Sequence, residues 1–311
     1  MCTLFEFLVI KFLSVGSVDR LAEFYHTAAD RLARMDSSTF KSAVSSTIPP
    51  SKGRVVMLHS PPCCGGSLLG GLLRSIDQAQ RHLLVHGEPP VLNALSVLVQ
   101  FLPIETMRSI TFAALRFTMR HIERDQVVVM KVRSCCTKIV PYVHATTPSI
   151  QHLYITSKDP NVGIARLVST NFSKFDMICT LLTYSPMLCD FFSSWRLLEP
   201  EVVRKVGPNN PYEFALAQVM GCTISYQRNS KYFALEAIYA EDLIDDPMSV
   251  MRPVFDVCGV FLRIPASVID YLNDQKEESP VQTSSMNSVL SDCNDHGTPL
   301  YCLFISSEAF D

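Results

Sequence analysis

Apolar residues fall along the chain in two rhythms. Short unbroken runs stand at Val55-Val56-Met57-Leu58, Leu83-Leu84-Val85, Val127-Val128-Val129-Met130 and Leu153-Tyr154-Ile155. They are too short for helices and lack polar alternation, so they predict strands buried on both faces, over 54–59, 83–86, 126–132 and 152–156. Between them, apolar positions recur at helical spacing over about 66–80, 91–102, 105–122, 135–145, 161–172, 174–205 and 211–228. Ala234 to Tyr239 reads as one more strand, and Asp245-Asp246-Pro247 as the start of a helix reaching about 258. Strands alternating with helices predict an α/β fold with a parallel central sheet flanked by helices in three layers. The pattern places that domain at 51–275, after a helical lead-in at 1–50 and before a polar, Ser-rich tail at 276–311.

The first predicted strand breaks into His59-Ser60-Pro61-Pro62-Cys63-Cys64-Gly65-Gly66-Ser67, and an apolar helical pattern resumes at Leu68. Strand, glycine turn and helix together aim free backbone amides and a positive dipole end at an anion. No Gly-Lys-Ser/Thr follows the glycines, so the P-loop of ATPases is not matched. That missing lysine, with no clear magnesium aspartate, argues against a nucleotide kinase.

Overall charge narrows the choice further. Lys and Arg total 27 against 30 Asp and Glu, a net −3, so nothing suggests nucleic-acid binding, and an anion must be held by local groups. The 11 cysteines include the adjacent pairs Cys63-Cys64 and Cys135-Cys136 but no CxxC or zinc spacing. They read as reduced thiols, and no metal is expected. The opening MCTLFEFLVIKFLSVGS is interrupted by Glu6 and Lys11, short for a clear membrane span, and without the basic start of a signal peptide. It predicts an amphipathic helix on a cytoplasmic protein, with an N-terminal anchor to the Golgi or another membrane as the open alternative.

Four separated segments, in this order, resemble the sulfotransferase family. These enzymes have a P-loop NTPase-like three-layer sandwich and use the donor 3′-phosphoadenosine 5′-phosphosulfate (PAPS). The resemblance spans roughly 54–275. The family's loop of the type Lys/Arg-Ser/Thr-Gly-Thr/Ser-Thr is matched by Cys63-Cys64-Gly65-Gly66-Ser67, with Cys63 where the family has a cation. His59 and Arg74 are the candidates to compensate. Leu83-Leu84-Val85-His86-Gly87-Glu88-Pro89 is similar to the segment of the tyrosylprotein branch whose glutamate acts as base, with His86 as a rival. In Val127 to Ser134, Lys131 and Arg133 stand where the cytosolic branch has the lysine and histidine of Lys-Thr-His. Lys158-Asp159-Pro160 takes the place of the family's Arg-Asn/Asp-Pro. Arg166, eight residues on, stands at the family's serine, with Ser169 one turn beyond. Ile238 to Pro247 is similar to a mainly structural family segment. The nearest counterpart of the C-terminal donor-binding segment is Asp295-His296-Gly297.

The resemblance implies donor binding by Cys64, Gly65, Gly66, Ser67, Leu68, Lys158 and Arg166. It implies catalysis by Glu88 as base, with Lys131 and Arg133 on the developing charge. The expected activity is transfer of a sulfuryl group to a hydroxyl-bearing acceptor, seated among the apolar helices 91–122 and 174–228. Each segment also has an ordinary structural reading, as a tight turn, a surface acid or solvated cations. Because the loop cation is lost, the alternative function is a catalytically impaired binding or scaffold protein on the same fold.

Overall fold

The computed structural model describes residues 5–7, 33–77, 82–184 and 199–260. Two short strands, β1 (Phe5–Phe7) and β2 (Ala33–Met35), pair antiparallel. The main sheet is formed by β3 (Arg54–His59), β4 (Leu83–Gly87), β5 (Val127–Lys131), β6 (Gln151–Thr156) and β7 (Ile238–Tyr239). Its five strands run in the order β4-β5-β3-β6-β7, and every pairing is parallel. The connections are helical: α1 (Ser37–Thr47), α2 (Gly66–Ile76), α3 (Pro90–Leu98), α4 (Ile104–Thr118), α5 (Val140–Thr146), α6 (Pro160–Tyr184), α7 (Pro200–Val206), α8 (Pro211–Asn229), α9 (Ala240–Asp245) and α10 (Pro247–Cys258). The chain is therefore an α/β protein with helices on both faces of a parallel sheet, as the strand runs predict.

The apolar runs are continuous because both faces of each strand are covered. Val55, Met57, Leu84, Val128 and Met130 point to one face and pack with Leu92, Leu95, Met107 and Ile110 of α3 and α4. Alternation sends Val56, Leu58, Val85 and Val129 to the opposite face, where α2 buries Leu69, Leu72 and Leu73. Phe40 and Val44 of α1 join this body by packing on Ala113 and Phe117 of α4.

Several elements differ from the pattern. The predicted amphipathic helix at the N-terminus contributes the strand β1, and the rest of that segment lies outside the described residues, as do 276–311 and Asp295-His296-Gly297. The helices expected over 161–172 and from 174 form one continuous α6, since no proline or glycine interrupts residues 164–184. The remainder of the predicted 174–205 helix resumes as α7 after residues outside the description. The strand expected from Ala234 is only Ile238–Tyr239. Ala234 donates one bond to His152 O at 2.9 Å, while Phe233 turns into an aromatic cluster with His59, His152, Tyr154 and Tyr226.

His59 is completely buried at the end of β3, and its Nε2 lies 3.0 Å from His152 Nδ1 on β6. Burial drives both rings toward the neutral form, His59 well below 6.5 and His152 to about 3, with the nearby His144 charge adding to the latter. His59 is therefore no substitute for the loop cation. In the unfolded chain His152 titrates near its ordinary 6.5. Between about 6.5 and 3 the unfolded state binds a proton that the folded state does not. Stability is thus full above 6.5 and falls as pH drops through this window, by at most about 1.4 kcal/mol per pH unit for each histidine. Urea midpoints measured from pH 7 down to pH 5 should decrease, and His152→Gln should flatten the slope. A level wild-type profile would contradict this account.

Candidate functional site

The order of strands sets where a ligand can sit. From β3 the chain crosses through α2 to the edge strand β4, whereas from β5 it crosses to β6 on the other side of β3. A crevice opens at the carboxyl ends of the strands where the crossovers diverge. The loop that leaves β3 enters this crevice. Gly65 caps α2 in the left-handed region at φ 94°, and an added Cβ there would lie 2.7 Å from Ala240 Cβ. A Cβ on Gly66 would lie 2.2 Å from Ser60 Oγ, so any larger residue there must displace Ser60. Helix α6 seats on the loop through Gly163, where a Cβ would meet the buried Cys64 Sγ at 2.5 Å. No side chain caps α2. Its first-turn amides, on Gly66, Ser67 and Leu68, thus lack intrahelical acceptors.

Charged groups from three further segments reach the same place. Glu88 leaves β4 in a left-handed conformation at φ 51°, unusual for a residue before proline, and its N–H is held by Lys131 O at 2.6 Å. Its carboxylate bridges two cations from the end of β5, at 3.8 Å from Lys131 Nζ and 3.3 Å from Arg133 Nε. Arg166 approaches from the second turn of α6 and has no ion-pair partner among the described residues. Together with Cys64, Gly65, Gly66, Ser67 and Leu68 these four residues border one cavity of about 1030 Å³. Three cations and one carboxylate leave two positive charges on its wall. Cys63 adds none. Partial desolvation in the loop pushes the thiol of the otherwise exposed Cys63 up against the opposing pull of Arg166 and Lys131, so it is neutral, and Cys64 is pushed up to about 12, mainly by burial.

Other expected positions fall elsewhere. Lys158 does not line the cavity. It is half-exposed and ion-paired with Asp242 of α9, while its N–H and the Ser157 hydroxyl bond to the Glu241 carboxylate. The acids that follow β7 thus draw Lys158 toward themselves. Arg74 sits in the last turn of α2 and Ser169 bonds back to Arg166 O, and neither borders the cavity. His86, the rival base, is likewise absent from its lining.

Of the helices expected to seat an acceptor, 91–122 contributes nothing to this cavity's lining, 174–228 contributes Phe175 and Gln218, and Leu167 and Asn171 are the wall residues that sequence reasoning missed. Leu167, Asn171 and Phe175 line the far wall at a spacing of four along α6, joined by Gln218 of α8. The available signal was one amide set in each of two otherwise apolar helix faces.

No protein-family model and no curated protein sequence matches the chain. Among solved structures, a sulfotransferase domain from the curacin biosynthetic pathway aligns at a TM-score of 0.37 and 14% identity, over 69% of this chain and 76% of that chain. A likeness at that level leaves the fold assignment to the strand order itself.

The loop geometry makes one substitution informative. Gly66→Ala must displace Ser60, and we expect a loss of about 1–3 kcal/mol in urea denaturation. Gly71→Ala, where an added Cβ meets nothing within 4 Å, should not destabilise. Equal stability of the two variants would refute the close packing of the loop.

Proposed function

We propose that the protein transfers a sulfuryl group from PAPS to an acceptor hydroxyl in this cleft. One observation supports the reading above the others: the glycine loop, Glu88, Lys131, Arg133 and Arg166, drawn from four separate segments, border a single cavity. The donor set suits the ligand. PAPS is anionic at its 3′-phosphate and at its phosphosulfate, and the wall offers three cations and uncapped first-turn amides. Gly65 and Gly66 let an anion approach the backbone without a Cβ in the way. Cys64, Ser67 and Leu68 complete the loop, and Asn171, Phe175 and Gln218 form the acceptor wall.

In the proposed step the acceptor oxygen attacks sulfur in line. The new O–S bond forms as the bond from sulfur to the 5′-phosphate oxygen breaks, and that oxygen leaves with the electron pair. The hydroxyl proton passes to Glu88. Arg133 cannot accept it, because a guanidinium stays charged near neutral pH. Lys131 and Arg133 bind the charge that builds on the sulfuryl and leaving oxygens. Both now contact the Glu88 carboxylate, and an incoming sulfonate would compete for them and release that carboxylate to act as base.

A thermal-shift titration with adenosine 3′,5′-bisphosphate and transfer of labelled sulfate from PAPS to a panel of hydroxyl acceptors test this reading. Glu88→Gln should lower kcat by about 10²–10⁴ while leaving the thermal shift intact. Lys131→Ala should weaken both. Absence of any shift and of any transfer in the wild type would sink the proposal, and undiminished turnover in Glu88→Gln would remove Glu88 from the base role.

One observation favours a second reading, donor binding without turnover: the neutral Cys63 in the loop. Cys63→Lys separates the two. If a missing loop cation limits the chemistry, this variant should raise the transfer rate by about 10–100-fold with little change in bisphosphate affinity. An unaltered, measurable rate would mean that Lys131 and Arg133 already supply the charge.

A further inference from the structure

A second cavity, of about 800 Å³, lies at the amino ends of the strands. It borders Arg54, the first residue of β3, so about 16 Å of strand separates it from the glycine loop. Four cations line it: Lys52, Arg54, Arg116 and Arg124. Asp256 is the one carboxylate among its lining residues, and none of the four cations is in an ion pair among the described residues. Like charges brought together at the mouth of a domain repel, and such a cluster has a cost unless an anion relieves it.

Two of these groups are held in place. Arg54 donates to Val257 O at 3.3 Å, and its guanidinium lies over Gly259, where a Cβ would fall 1.9 Å from Nη1. Gly259, at φ 68°, is thus the residue that leaves room for Arg54. Arg116 is anchored by its Nε to Ile48 O, with the Phe112 ring beneath its guanidinium at 5.7 Å. Lys52 and Arg124 are exposed and complete the ring from two loops. Ser51, on the same wall, has a buried Oγ with no hydrogen-bond partner. The orphaned hydroxyl and four cations without an ion pair make a wall on which donors outnumber the single carboxylate.

We propose that this cavity is a second anion site, separate from the glycine-loop cleft, that takes a soluble diphosphate group, free or esterified. Four cations less Asp256 leave three positive charges. A single phosphate brings about −1.5 to −2, while a terminal diphosphate brings roughly −3, which matches the wall. Arg54 and Arg116 supply fixed bidentate forks for phosphate oxygens, Ser51 Oγ donates the inner hydrogen bond, and Lys52 and Arg124 close over the outer oxygens.

The test is calorimetric titration of the full chain with inorganic pyrophosphate. A Lys131→Ala/Arg133→Ala/Arg166→Ala background removes the three cations of the other cleft. One site should remain, and excess adenosine 3′,5′-bisphosphate should not displace the probe. Adding Lys52→Gln/Arg124→Gln should weaken pyrophosphate by about tenfold or more. In the otherwise wild-type chain, that same pair of substitutions should leave the bisphosphate thermal shift unchanged. Absence of binding in the background variant, or binding that survives Lys52→Gln/Arg124→Gln, would overturn the proposal. Neither result bears on sulfuryl transfer, which is read by a different assay.

Discussion

Strand β3 is the constraint from which the rest of the structure follows. It is hydrogen-bonded on both edges, by β5 and β6, and covered on both faces, so that Val56 and Leu58 have no exposure at all. A strand so enclosed can present polar groups only at its two ends. Its carboxyl end runs through buried His59 into the glycine loop, and its amino end is Arg54. Both cavities therefore open at the ends of the same buried strand, and the sheet between them holds the two apart.

At the carboxyl end, charge and backbone are arranged together. The parallel register sets Gly87 opposite Lys131, which puts Glu88 one residue beyond the sheet and within reach of both β5 cations. Lys131 in turn runs along α2 beside Gly66 and Gly70, where an added Cβ would make ordinary contact with its side chain at 3.7 Å and 3.8 Å. The positive wall thus shares the cavity with amides fixed by a helix start. The loop itself contributes no charge, since Cys63 stays a neutral thiol. The positive charges on that wall come from the end of β5 and from α6.

Part of this site was legible in the sequence. Lys131 and Arg133 stand out as cations closing an apolar strand, and Gly65-Gly66 as a break between strand and helix. Glu88 follows a short strand that had to end near the first, because parallel strands share their direction. Lys158 illustrates the limit. Its place after β6 suggested the cleft, yet Glu241 and Asp242, some eighty positions away, bind its side chain and backbone. The basic cavity was not legible at all. Its cations come from two loops, a strand start and a helix, and each alone reads as an ordinary solvated charge.

The order of apolar runs and helical periods by itself determined an α/β protein with a parallel sheet, because burial on both faces leaves a local signature in the four longer strands β3 to β6. It also determined that the first strand ends in a glycine turn, since that turn lies within a few consecutive residues. The tertiary structure alone decided the strand order β4-β5-β3-β6-β7, the meeting of Glu88 with Lys131 and Arg133, the pairing of His59 with His152, and the departure of Lys158 to Asp242. Those contacts join residues dozens of positions apart. They depend on which segments pack side by side, and no local period records that choice.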